Sequence, residues 1–332
     1  MKLTKEKLKR KLNGYFVRYT SKLSFYQYFY QAKWHAVLNR CSGADEPQPV
    51  QQYFTARPNP GAGIGHQLAN WMAGYYYSKH FNLTFAHIPF PDPRWEDLLA
   101  LGVAETQFEA LLQTKSHKKV SLPKFKSPAE VEAIIRSYAG KKVIFVAERD
   151  QFLEELPLVQ KDIQAKFHTR HPQPELTFEK ETLNIALHIR RGDIVNNGQA
   201  IDHLSARFQA VDYFERILQQ IIDVSQSNKI RVYLFSQGTK EEFKKLEVIH
   251  PLEYCLDMDP YQSFLHMAFA NILVTSKSSF SYKPALLNRN LKIAPRDFWH
   301  SYPETDDWVL IDNQEMKLDH LRERIRTHIY NR

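Results

Sequence analysis

The feature that most constrains this chain is the regular alternation of its second half. Apolar runs of strand length at 184–190, 230–236, 272–276 and 291–294 are separated by helical patterns. The clearest of these places Val211, Phe214, Leu218, Ile221 and Ile222 at helical spacing, and further helices are expected near 240–246 and 262–270. Strands joined through helices run parallel, because a parallel connection needs a crossover that a hairpin turn cannot provide. An α/β fold with a parallel sheet follows. Such sheets bind their ligands beyond the carboxyl ends of the strands, so chemistry is sought in the residues that close or follow each strand.

The first half repeats the theme less clearly. A short extended run at 52–57 meets a glycine turn, Pro60-Gly61-Ala62-Gly63-Ile64-Gly65, and a helical pattern follows over 67–77. A buried strand is expected at 143–147, and the polar, proline-bearing stretch 168–181 reads as a domain boundary. A chain of 332 residues suits two domains. The division expected is an arm and linker over 1–50, one domain over 51–175 and another over 176–332. Neither an internal repeat nor a low-complexity tract interrupts it.

Charge is distributed unevenly. The formal charge is +8, yet residues 1–40 hold ten Lys and Arg against one acid, Glu6, a balance of +9 that leaves −1 for the rest. Nucleic-acid binding needs basic residues spread over a folded face, and this body is neutral. The basic segment also carries nine aromatics from Tyr15 to Trp34. Cations mixed with aromatics suit a lipid headgroup surface, while a helical arm packed on the body is the alternative. Arg18 and Lys22 interrupt the best apolar stretch, so no membrane span is expected. The run after the first lysines also lacks the apolar core of a signal peptide. Two cysteines, Cys41 and Cys255, supply neither a disulfide framework nor a four-thiolate zinc site. A cytoplasmic protein, with peripheral contact on the inner membrane face, is the expectation.

Three clusters carry candidate chemistry. In His188-Ile189-Arg190-Arg191-Gly192-Asp193, strand alternation puts His188 and Arg190 on one face and Arg191 on the other. Two adjacent guanidiniums at a strand end call for an anionic partner, and arginine's planar fork suits phosphate. A strand-end ion pair with Asp193 is the plainer reading. The glycine turn fails the dinucleotide fingerprint, since Gly61, Gly63 and Gly65 lie two apart and no acid follows about 20 residues on. No Gly-Lys-Ser/Thr follows either, so what the turn offers is His66 and Gln67 at a helix start. Finally, Val274 to Ser281 places five hydroxyls within seven positions, more than a helix cap needs.

In this order the clusters resemble the α-1,2-fucosyltransferases of glycosyltransferase family 11, within the GDP-fucose fucosyltransferase superfamily. His188-Ile-Arg-Arg-Gly-Asp193 resembles the family's H-x-R-R-x-D motif, Gly63-Ile-Gly65-His66-Gln67 its G-x-G-N-Q turn, and Ser278-Ser-Phe-Ser281 its N-S-S-F-S segment. The resemblance implies the GT-B architecture, two Rossmann-like domains facing across a cleft, and inverting, metal-independent transfer of fucose from GDP-fucose to a glycan. The expected setting is surface polysaccharide or lipopolysaccharide synthesis, with an acceptor that is either free or lipid-linked. GDP-fucose is then a substrate, and no cofactor or metal is expected. Arg190 would meet the departing β-phosphate, Asp193 would orient an arginine or a sugar hydroxyl, and His66 would act as general base. Gly63, Gly65, Gln67, His188, Arg191, Ser236, Asp259, Thr275, Ser276, Ser278, Ser279 and Phe280 would line the donor.

Departures from the pattern fall at His66 and at Lys277, where the family carries Asn, and at Ser263, where some members carry a base-reading acid. The nearest acid here is Asp259, one helical turn earlier. Asp257-Met258-Asp259 spells the D-x-D of metal-dependent glycosyltransferases, which keeps a metal-dependent enzyme with another sugar nucleotide as a second reading. A non-catalytic sugar-nucleotide or glycan binder on the same fold is a third.

Overall fold

The computed structural model of the chain describes residues 5–39, 50–59, 61–147, 157–196, 199–200, 202–225, 229–298, 301–312 and 318–327. The expected linker over 41–50 lies, but for Val50, outside the described residues. The chain divides into two compact units, Met1–Glu96 with Leu101–Leu153 and Asp97–Ala100 with Glu154–Arg332.

The first unit opens with α1 (Lys5–Thr20), a 3-10 turn (Tyr26–Phe29) and α2 (Gln31–Leu38). Then come β1 (Tyr53–Ala56), α3 (Ile64–His80), β2 (Thr84–His87), α4 (Pro93–Leu99), β3 (Thr106–Gln107), α5 (Phe108–Gln113), β4 (Lys118–Ser121), α6 (Ala129–Ser137) and β5 (Val143–Ala147). The five strands form one parallel sheet in the order β3-β2-β1-β5-β4. Its central strands β1 and β5 are buried throughout, as apolar runs covered on both faces should be. Helix α3 buries Leu68, Trp71, Met72 and Ala73 completely. At Gly74 a Cβ would stand 2.6 Å from Ala56 N, so only glycine lets this helix lie so close on β1.

The arm is part of this unit. Tyr26, Ala32 and Ala36 are buried, and Lys124 N donates to Tyr26 Oη at 3.2 Å. His35 stacks on Tyr138 at 3.8 Å and lies 3.1 Å from Ser137 Oγ.

The second unit comprises α7 (Pro157–Arg170), β6 (Leu183–His188), β7 (Val195–Asn196), β8 (Gln199–Ala200), α8 (Val211–Val224), β9 (Ile230–Ser236), α9 (Lys244–Glu247), β10 (Leu252–Leu256), α10 (Pro260–Phe269), β11 (Ile272–Val274), α11 (Ser279–Leu287), β12 (Leu291–Pro295), β13 (Trp308–Ile311) and α12 (Leu318–Ile325). The expected helix near 240–246 is a 3-10 turn (Lys240–Phe243) continued by α9, started by a capping box between Thr239 and Glu242. Six parallel strands run in the order β10-β9-β6-β11-β12-β13. Counted along the unit, with the small β7-β8 hairpin set aside, this is 3-2-1-4-5-6, the Rossmann order. Leu183, Ile185, Leu187 and Ile189 alternate onto the face covered by Phe214, Ile217, Leu218 and Ile221 of α8. Full burial of each such side chain contributes about 1.5–3 kcal/mol.

The units part between Leu153 and Glu154, some twenty residues before the expected 175/176. Helix α7 explains the shift. Gln160, Gln164 and His168, spaced by one helical turn, bond the backbone carbonyls of Leu286, Leu287 and Asn288 at the end of α11, satisfying acceptors that a helix terminus leaves open.

Candidate functional site

Strands β6 and β11 are neighbours in the second sheet, but their chain connections leave in opposite directions along it. This is the switch point of the Rossmann order, where adjoining loops diverge and open a crevice beyond the strand ends. Val274 of β11 pairs with Leu187 of β6, so Thr275 to Ser278 emerge beside His188 to Arg190. Two of the three sequence clusters therefore meet at one place, and both are built from the two central strands.

His188 closes β6 and is buried, with Nδ1 2.8 Å from Ser276 Oγ and its ring 5.8 Å from that of Phe280. Burial, reinforced by the charge of Arg190, pushes its pKa down to about 3. A neutral imidazole is thus fixed across the switch point. It is too weak a base to carry a proton at neutral pH, so its work is to hold Ser276.

Arg190 shares the His188 face. Its Nη1 donates to Ser278 Oγ at 3.1 Å, and its Nη2 donates to Asp193 Oδ1 and Oδ2 at 2.9 and 3.0 Å. Nε is buried and makes no hydrogen bond. Burial holds the guanidinium below the ordinary arginine value; Asp193 raises it, and nearby Arg207 lowers it further. Asp193 is 71% exposed against 21% for the Arg190 side chain, so the pair is wet on the acid's side and desolvated on the cation's. The turn that brings Asp193 back depends on Gly192, whose φ of +62° favours glycine and whose Cβ would stand 1.9 Å from Gln237 Oε1.

Ser278 is the N-cap of α11 and accepts from Phe280 N at 3.2 Å. Arg190 therefore sits on the cap of a helix whose positive dipole end adds to its own charge. Ser276 and Ser278 are buried, while Ser279 and Phe280 are partly exposed beside them. Thr275 turns away, its Oγ1 donating to Ile293 O at 3.4 Å. Lys277 forms an ion pair with Asp297 at 2.8 Å.

Other predicted residues do not join this group. The Arg191 guanidinium packs over the Phe208 ring at 4.8 Å, donates to Arg190 O and Gln209 O, and lies 3.8 Å from Glu242. It braces the loop from the opposite face and makes no contact with Ser276 or Ser278. Ser236 Oγ donates to Ile189 O at 2.7 Å. Asp259 is the N-cap of α10, accepting from Tyr261 N and Gln262 N, and Ser263 Oγ donates to Met258 O at 3.5 Å. Among the described residues no three His, Cys, Asp or Glu side chains gather as a metal site. Arg207 was not singled out from sequence, since it lies on a short 3-10 turn (Asp202–Arg207) 17 residues beyond Arg190.

In the first unit the glycine turn follows β1, the central strand of that sheet. Gly63 precedes α3 in extended conformation, and nothing lies within 4 Å of where its Cβ would stand. Gly65 is buried in the first turn and His66 partly exposed. Gln67 Nε2 donates to Ala62 O at 2.7 Å and closes the turn, leaving Oε1 buried without a hydrogen bond.

No family model matches this chain, and no curated protein matches it. Solved structures similar to it include POFUT1 in complex with GDP, at 13% identity over 74% of this chain and 99% of the other, with a TM-score of 0.43. E. coli heptosyltransferase WaaC with ADP is similar at 11% identity over 83% and 97%, TM-score 0.38. NodZ alpha-1,6-fucosyltransferase co-crystallised with GDP is similar at 10% identity over 73% and 93%, TM-score 0.38. At these values the likenesses carry no argument about chemistry, which rests on the chain's own topology and side chains.

Proposed function

We propose that this chain is a glycosyltransferase that binds a nucleotide-diphosphate sugar at the switch point of its second unit, with GDP-fucose as donor and a glycan as acceptor. One observation carries the reading: Arg190, at the end of the first Rossmann strand, leans on the N-cap of α11 with a desolvated guanidinium and a buried Nε that makes no hydrogen bond. An unpaired buried donor costs about 1–3 kcal/mol, more when charged. A diphosphate oxygen removes that cost and meets the helix dipole as well.

The chemistry follows from this placement. A glycan hydroxyl attacks C1 of the sugar as the C1–O bond to the β-phosphate breaks, and configuration inverts. Charge develops on the departing phosphate, where Arg190 and the α11 terminus neutralise it more strongly than in the ground state. That cationic environment does the task a divalent ion performs in other transferases. Asp193 holds Arg190 in position, and neutral His188 holds Ser276. The hydroxyl proton passes to a general base, the role proposed for His66.

Thermal shift against GDP-, UDP- and CMP-sugars tests the donor. A ligand at 100 times its Kd stabilises by about 2.7 kcal/mol, so GDP-fucose at saturating concentration raises the Tm measurably. Stabilisation by UDP-sugars alone would refute the assignment.

A further inference from the structure

Of fifteen large hydrophobic side chains exposed among the described residues, twelve lie between Leu8 and Leu38, and Val103, Leu158 and Val248 are the rest. They are ordered on the arm. On α1, Leu8, Leu12, Tyr15 and Tyr19 are 50%, 61%, 55% and 69% exposed. Their spacing of four, three and four residues sets them in one stripe of a 3.6-residue helix. Val17, which is buried, lies on the opposite face. The apolar stripe of α1 thus points away from the protein, the reverse of a helix that packs on a core.

Charge brackets the stripe. By the same helical geometry Lys5 and Lys9 fall on one side of it and Lys11 and Arg18 on the other, all four exposed. Beyond α1 the exposed surface continues through Leu23, Phe25, Tyr28 and Phe29 to Trp34 and Leu38. The opposite side of α2 is held on the first unit by Ala32, His35 and Ala36. Tyr15 and Tyr19 stack at 6.3 Å, and Phe16 and Phe29 meet edge to face at 5.1 Å, so the aromatics form a continuous surface. No described helix is long and apolar enough to cross a membrane.

We infer that the arm is an interfacial anchor that lays α1 in the headgroup layer of an anionic phospholipid bilayer, with Leu8, Leu12, Tyr15 and Tyr19 inserted and the flanking lysines and Arg18 on the lipid phosphates. The occupant is chosen by charge: a stripe of apolar and aromatic side chains between two cationic rows, in a segment with a single acid, complements an anionic lipid surface. The anchored element is the first unit, through the Tyr26–Lys124 and His35–Ser137 contacts.

The test is co-sedimentation of the full chain with vesicles of phosphatidylcholine alone and of equimolar phosphatidylcholine and phosphatidylglycerol. The wild-type chain should pellet with the anionic vesicles, and less so in high salt. Leu12→Glu with Tyr19→Glu should bind at least about tenfold more weakly with an unchanged Tm, since both positions are exposed. Lys9→Gln with Lys11→Gln should weaken binding without touching the stripe, and Val248→Glu on the second unit should have no effect. Equal binding to both vesicle types, or binding unmoved by the stripe and lysine variants, would overturn the proposal. So would a wild-type chain that ignores vesicles but dimerises in sedimentation velocity and becomes monomeric on Leu12→Glu with Tyr19→Glu, which assigns the stripe to a second copy.

Discussion

Lowering the pH from 7 to 5 should destabilise the second unit through His188. In the folded chain burial and Arg190 push its pKa down to about 3, while in the unfolded chain it returns to about 6.5. The unfolded state therefore binds the proton first, and the stability held above pH 6.5 is lost as pH falls toward 3, at up to about 1.4 kcal/mol per unit. Between pH 7 and 5 the loss comes to about 2 kcal/mol. No discount for solvent screening is due, because the imidazole is buried. His168 and His266 are also shifted down by burial and contribute in the same direction, so the comparison must be differential. Urea unfolding of wild type and His188→Asn at both pH values supplies it, since asparagine can still bond Ser276 but cannot be protonated. Wild type should lose about 2 kcal/mol more than the variant over this interval. Equal losses would show that His188 is not held neutral by its site, and the description of that site would fail.

Other consequences concern neighbouring elements. Gly192→Ala forces a left-handed backbone on alanine and displaces Gln237, so it should cost about 1–2 kcal/mol in denaturant unfolding. It should also loosen the Asp193 grip on Arg190, read as weaker donor binding. Asp307→Asn removes the carboxylate paired with fully buried Lys292. A loss of about 3–5 kcal/mol is expected, largely recovered by adding Lys292→Met, in a double-mutant cycle of thermal unfolding. His66→Asn, which removes the proposed base, should lower kcat by about 100-fold or more, and full activity would exclude His66 from that role.

What sequence revealed depended on burial. Val143–Ala147 and Ile230–Ser236 are legible with their observed limits, the first as an unbroken apolar run buried throughout and the second as a buried apolar run between exposed Arg231 and partly exposed Ser236. Leu252–Leu256 escaped: it is an edge strand, only partly buried, and interrupted by Glu253. Trp308–Ile311, at the other edge, escaped although it is apolar and largely buried. The candidate site was legible at Arg190 because adjacent guanidiniums at an apolar strand end are conspicuous, and alternation separated Arg190 from Arg191. It was not legible at Asp259, where a helix cap and a ligand-binding acid look alike, nor at Arg207, which distant backbone brings near. The arm's composition suggested a lipid surface, but only the fold shows that the stripe on α1 faces outward.

Calorimetric titration of GDP into wild type and Arg190→Ala tests the central claim most directly. The lost guanidinium should weaken binding by about tenfold or more, the equivalent of one charge-assisted hydrogen bond of about 1.5–3 kcal/mol, while the Tm of the unliganded chain holds. Undiminished GDP affinity in Arg190→Ala would contradict the placement of the donor at this switch point.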